Sequence, residues 1–153
     1  MNQYSELLYY IKGLAEADPF INHVTQGTLE QSTVDKMIIP TLVNIFISGG
    51  GFTNGNTITF DVELACLSQR DINKEVRTDG FWKQDNEVDN LNETHAVLNR
   101  LWNKMYVDFE KENITSSENP TLTPIIFGDA KLLDGWLLTF SVEMPNTTIN
   151  LCQ

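Results

Sequence analysis

The chain has 153 residues, a length that suits a single domain spanning 1–153 around one core. It carries 21 Asp and Glu against 10 Lys and Arg, a net charge of −11, and cations so few and scattered exclude a groove that tracks nucleic-acid phosphates. Hydrophobic residues make up 41% and fall in short runs, none near the length of a membrane span, so no membrane partner is expected.

In chain order, Tyr4, Leu7, Leu8, Ile11, Leu14 and Ala15 recur at helical spacing, and Asp18-Pro19 ends that first amphipathic helix. The stretch FINHVTQGTLEQSTVDK is mixed and turn-rich and reads as an extended piece leading into a loop. MIIPTLVNIFIS follows as a strand, with Val43, Ile45 and Ile47 on one face and Leu42, Asn44 and Phe46 on the other. Pro40, which has no amide donor, belongs at its start or on an edge. NTITFDVELACL alternates more cleanly, with Ile58, Phe60, Val62, Leu64 and Cys66 set against Thr57, Thr59, Asp61 and Glu63. One buried and one wet face is the mark of an antiparallel sheet.

Between these strands lies GGFTNGNT, residues 50–57, one letter from the phosphate-loop pattern G-x-x-x-x-G-K-[ST]. Asn56 stands where the lysine is required, and the segment leads into a strand where a phosphate loop needs a helix N-terminus. Asn54-Gly55 is a favoured hairpin-turn pair, so the stretch reads as a glycine-rich hairpin tip.

Residues 68–85 form a polar connection in which Phe81 and Trp82 suit either a docking anchor or a lid over the domain's own core. A second, longer helix begins near Asp85 or Asn86, with Glu87 and Asp89 in its first turn. Its apolar stripe is Val88, Leu91, His95, Leu98, Trp102 and Met105, flanked by Val97 and Leu101. A polar linker from Val107, a short strand at Thr123–Phe127 and a last strand over LDGWLLTFSVEMP complete the chain. In that last strand Trp136, Leu138, Phe140, Val142 and Met144 alternate with Thr139, Ser141 and Glu143. The fold class is α+β: a small antiparallel sheet with a long hairpin, packed against an N-terminal helix and a longer central helix.

The chemistry-bearing residues are sparse. His23 and His95 are isolated, and Cys66 and Cys152 suggest neither a disulfide framework nor a metal cluster. The carboxylates carry no spacing that selects a catalytic pair, so no catalytic residue, cofactor or metal is expected. The N-terminus lacks the basic start and small-residue cleavage site of a signal peptide, which points to a reducing, cytosol-like compartment. The sequons at Asn92, Asn113 and Asn146 then read as chance matches.

Four phrases, in this order, resemble a family of bacteriophage tail-completion or tail-terminator proteins: IIPTLVNIFISGG, NTITFDVELACLSQRD, WKQDNEVDNLNETHAVLNRLW and LDGWLLTFSVEMPN…C. They run from about Ile38 to Cys152, and the resemblance does not extend to 48–56 or to 106–122. It implies a virion structural protein without enzymatic activity, made in the host bacterial cytoplasm. Such a protein forms a homo-oligomeric ring, sixfold or twelvefold, that joins tail to head at the neck. Its partners are neighbouring neck, connector or tail proteins, and DNA passes through without binding. Gly49, Gly50, Gly51, Phe52, Asn54, Gly55, Phe81 and Trp82 are the expected ring contacts. A head-closure or connector ring, a stacked ring of a short tail, and a monomeric protein-binding adaptor are the alternatives.

Overall fold

The computed structural model describes residues 3–28, 41–53, 56–69, 87–126 and 133–145. Two helices and six strands follow in the order α1 (Gln3–Ala17), β1 (His23–Gln26), β2 (Thr41–Thr53), β3 (Thr57–Gln69), α2 (Glu87–Lys111), β4 (Thr115–Ser116), β5 (Thr121–Ile126) and β6 (Leu133–Pro145). The strands form one sheet, ordered β1-β2-β3-β6, with β4 and β5 pairing side by side along the far edge of β6. All pairs are antiparallel except β1 on β2, where His23 to Gln26 run parallel beside Leu42 to Ile45. The α+β class and the long β2–β3 hairpin are therefore as the alternation predicts. The extended piece near Val24 is a fourth neighbour in the sheet, held there by polar contacts that periodicity does not report.

Those contacts centre on Asn44, a buried amide in the middle of β2. Its Oδ1 accepts from Thr25 Oγ1 at 3.0 Å and its Nδ2 donates to the Gly27 carbonyl at 2.9 Å. Burying an amide is tolerated because both halves are satisfied, and the same bonds tie β1 to β2.

Both helices lie on one sheet face. Leu7, Ile11 and Ala15 of α1 and Val97, Leu98, Leu101, Met105 and Phe109 of α2 meet Val43, Ile45, Val62, Leu64, Cys66, Leu138, Phe140 and Val142. Each of the Val, Leu, Ile, Phe and Met side chains among them contributes about 1.5–3 kcal/mol on leaving water. On the opposite face Leu42, Leu67 and Leu133 make a small second cluster with Ile125 beside it. Where that cluster is built, Gly135 brings β6 so close to β3 that an added Cβ would lie 1.8 Å from the Cys66 carbonyl oxygen. Only glycine fits there.

The helices are joined across the core's edges. Asp18, just past the end of α1, accepts from the Phe20 amide at 3.0 Å and from Arg100 Nε and Nη2 of α2 at 3.1 and 3.2 Å. Burial works to raise the Asp18 carboxyl, but the Arg100 bond, the Phe20 amide and the charges of Arg100 and Lys104 outweigh it, so its pKa falls below the ordinary value. From the middle of α1 the Tyr10 hydroxyl donates to Asp108 Oδ2 of α2 at 2.6 Å, and burial together with that carboxylate pushes the phenol pKa up.

The second helix departs from expectation in two ways. It runs on to Lys111, burying Phe109, where a polar linker from Val107 is expected. Asn113 ends it in the left-handed region at φ 57°, which asparagine tolerates, and the Ile114 amide closes on the Phe109 carbonyl at 2.8 Å. The buried stripe is also rotated: Asn90, Thr94, Val97, Leu98, Leu101, Met105 and Phe109 face the sheet, while Val88 and His95 are exposed. Asn90 donates across to the Gln69 carbonyl of β3 at 3.2 Å and the Thr94 hydroxyl donates one turn back to the Asn90 carbonyl at 2.6 Å, so both can occupy core positions. Of the other boundaries, β5 starts two residues before the expected strand at Thr123–Phe127, and position 40 lies outside the described residues.

Candidate functional site

The β2–β3 hairpin changes character along its length. From Leu42 to Ile45, β2 is buried and flanked by β1; from Ser48 to Thr53 it is exposed throughout. Among the described residues nothing pairs with the outer edge of β2 beyond Ile45, apart from the Gly27 amide on the Ile45 carbonyl. The far half of the hairpin is thus an arm whose one flank is hydrogen-bonded to β3 and whose other flank is open backbone.

A register shift between Ile47 and Gly49 marks where the arm begins. One extra residue on β2, Ser48, bends the strand and reverses its facing, so that Gly49 pairs with Asp61 on the uncovered face and Gly50 pairs with Phe60 on the helix side. Gly50 is required: a Cβ there would sit 2.3 Å from the Thr59 carbonyl oxygen. Gly51, by contrast, has nothing within 4 Å of an added Cβ. Phe52, opposite Ile58, is 77% exposed, an aromatic ring held away from the core by the strand that carries it. The Thr57 hydroxyl donates to the Thr53 carbonyl at 3.0 Å and closes the arm's end.

Gly49, Gly50 and Gly51 are therefore rungs of the ladder, and the glycine-rich tip expected over Gly49–Gly55 is corrected to a glycine-rich strand with a turn beyond Thr53. Asn54, Gly55, Phe81 and Trp82, the other expected contacts, lie outside the described residues.

Beside the arm, the face of the sheet away from the helices is acidic and hydroxyl-rich. Asp61, Glu63 and Glu143 line it with Thr59, Thr139 and Ser141, and the Ser141 hydroxyl donates to Asp61 Oδ1 at 2.6 Å. None of the six strands contains a lysine or arginine; the cations among the described residues, Lys12, Arg100, Lys104 and Lys111, all stand on helices. Among the described residues polarity is thus divided, with Asp61, Glu63 and Glu143 on the sheet and every described cation on the helical layer.

A second concavity lies between the start of α1 and the end of α2, about 370 Å³, with Leu7, Phe109, Ile114 and Met144 in its floor and Glu6, Asp108 and Glu112 on its rim. The nucleophile candidates lie elsewhere. Cys66 is fully buried, and burial, with a smaller push from Asp18, drives its thiol up to about 12. His95 is corrected from a stripe position to the surface, where it meets the Trp136 ring edge-on at 5.6 Å. That indole donates to the Leu91 carbonyl at 2.8 Å. Among the described residues no group of three or more His, Cys, Asp and Glu is placed to hold a metal ion, and no helix is long and apolar enough to cross a membrane.

No protein-family model and no curated protein matches the chain.

Proposed function

We propose that the protein is a structural subunit of a bacteriophage particle, one of the copies that form a homo-oligomeric ring at the neck or tail and line the path of the DNA. The observation that carries this reading is the arm: Ser48 to Thr53 stand exposed on a strand with an open backbone flank, ending in the exposed Phe52. Such a strand edge offers main-chain donors and acceptors that no other described strand pairs with, and intermolecular contact is what an open edge supplies. The resemblance of the strand and helix phrases to tail-completion proteins supports the same reading.

The division of charge gives the ring a mechanism. With Asp61, Glu63 and Glu143 on the uncovered face and no cation in any strand, that face repels a polyanion. At physiological salt the repulsion acts within roughly 8 Å, enough to keep DNA from sticking while leaving its passage unhindered. The described cations sit on the helical layer, away from that face. In this reading neck, connector or tail proteins are the partners, and no cofactor or catalytic residue takes part.

Native mass spectrometry over a wide concentration range tests the reading. A discrete sixfold or twelvefold species supports the ring, and a monomer that stays single when mixed with its tail and connector proteins refutes it.

A further inference from the structure

We propose that the edge of β2 left open among the described residues pairs with the same edge of a second copy, antiparallel about a two-fold axis at Gly51, joining two subunits edge to edge in a continuous sheet. This deepens the reading of the chain as an assembly subunit, and it rests on that reading for its biological setting.

Charge selects the partner. The run from Met37 to Phe60 holds no charged residue, the longest such run in a chain of net charge −11. Two copies approaching by most other surfaces bring carboxylates together, whereas along the arm they bring only glycine, serine, threonine and phenylalanine. A partner recognised by charge would leave this edge unread; a second copy needs it neutral.

The edge is also unguarded. Strand edges are commonly protected by proline or charge, and β5, on the other side of the sheet, carries Pro124 within its span. In β2 the bulge lies behind the arm, between Ile47 and Gly49, and the rungs from Gly49 to Thr53 run on without a break. The span is bounded at one end by β1, which ends at its rung on Ile45, and at the other by the turn after Thr53. Two antiparallel copies overlapping over Gly49–Thr53 each stop short of the partner's β1.

Side chains match in that register. With Gly51 on the axis, Phe52 lies across from the partner's Gly50 on the helix side of both sheets. Phe52 is the 77% exposed ring, and Gly50 is the rung where a Cβ cannot be placed. A ring laid over a glycine covers backbone that glycine leaves bare, a pairing known to stabilise strand edges. The two-fold repeats it, so two rings cover two glycines.

The test compares native masses of the wild type and Gly51→Asp, which sets two like charges directly opposite each other on the axis. The added Cβ meets nothing within 4 Å, so the variant is expected to stay folded, which its urea midpoint checks. The expected result is a mass halved under the same conditions, with the association weakened about tenfold or more. Twelve copies becoming six supports both this pairing and the ring; two becoming one supports the pairing and refutes the ring. A ring unchanged by Gly51→Asp overturns the pairing and leaves the ring standing, and a monomer at every concentration overturns the pairing. Phe52→Ser serves as the second variant and is expected to weaken association in the same direction. Leu122→Asp, on the β5 edge, is expected to leave the mass unchanged, and an equal loss from it overturns the pairing. Gly51→Cys in a Cys152→Ser background gives a covalent pair on mild oxidation if the axis lies at residue 51.

Discussion

The two halves of the β2–β3 hairpin share a ladder and differ in everything else. From Leu42 to Ile45 and from Leu64 to Leu67, side chains are buried on both sheet faces, against the helices on one and around the Leu42–Leu67–Leu133 cluster on the other. From Ser48 to Thr53 the same strand keeps its backbone bonds to β3 and buries no side chain. Stability thus resides mainly in the near half, where each buried apolar group contributes, and in the far half only the close approach at Gly50 constrains the side chain. Where a strand holds its shape by backbone alone and carries an exposed aromatic, its side chains contribute little to the core.

That contrast can be broken most sharply at the near end. Gly135→Val drives a branched three-carbon side chain against the Cys66 backbone, where even the Cβ has only 1.8 Å, and is expected to cost at least about 3 kcal/mol or abolish folding, read from urea denaturation. Leu64→Ala removes a fully buried side chain and is expected to cost about 2–5 kcal/mol in the same assay.

Arg100→Ala leaves the Asp18 carboxylate buried with only the Phe20 amide on it, an expected loss of about 1–3 kcal/mol at neutral pH. The pH dependence sharpens that result. The Asp18 pKa is lower folded than its ordinary 3.8, so its contribution is fully present above that value and disappears as pH falls through the lower folded one. An Asp18→Asn variant is expected to show a flatter loss of stability below pH 3.8 than the wild type.

The arm gives the smallest stability effects. Gly51→Ala and Phe52→Ser are expected to stay within about 0.5 kcal/mol of the wild type. Thiol labelling separates the halves directly: in a Cys152→Ser background Cys66, with its thiol at about 12, is expected to react only at the rate of global unfolding. A cysteine substituted for Thr53, exposed on the arm, is expected to react at once.

The core was legible because its signals are local and periodic: Ile58 to Cys66 and Trp136 to Met144 alternate strictly, and the pattern gives both strands and their buried faces. The rotation of α2 was hidden because Asn90 and Thr94 look like surface residues until their carbonyl partners are in place, while Val88 and His95 look like core. The run to Lys111 was hidden because Phe109 is the single buried residue in an otherwise polar last turn and a half. β1 was read as an extended piece only, since its anchoring depends on Asn44, nineteen positions from Thr25. The arm was half legible: the glycines announced an unusual backbone, but the bulge at Ser48 that makes them ladder rungs depends on pairing with Asp61 and Phe60.

The central claim, that the arm exists for contact between subunits, is tested most directly by shortening it. Removing the paired residues Gly51–Thr53 and Thr57–Thr59 keeps the Gly50–Phe60 rung and the turn residues 54–56. Sedimentation velocity of this variant is then compared with that of the wild type, alongside urea unfolding. A folded, cooperative variant that no longer assembles is the result expected. A variant that assembles as the wild type does contradicts the claim.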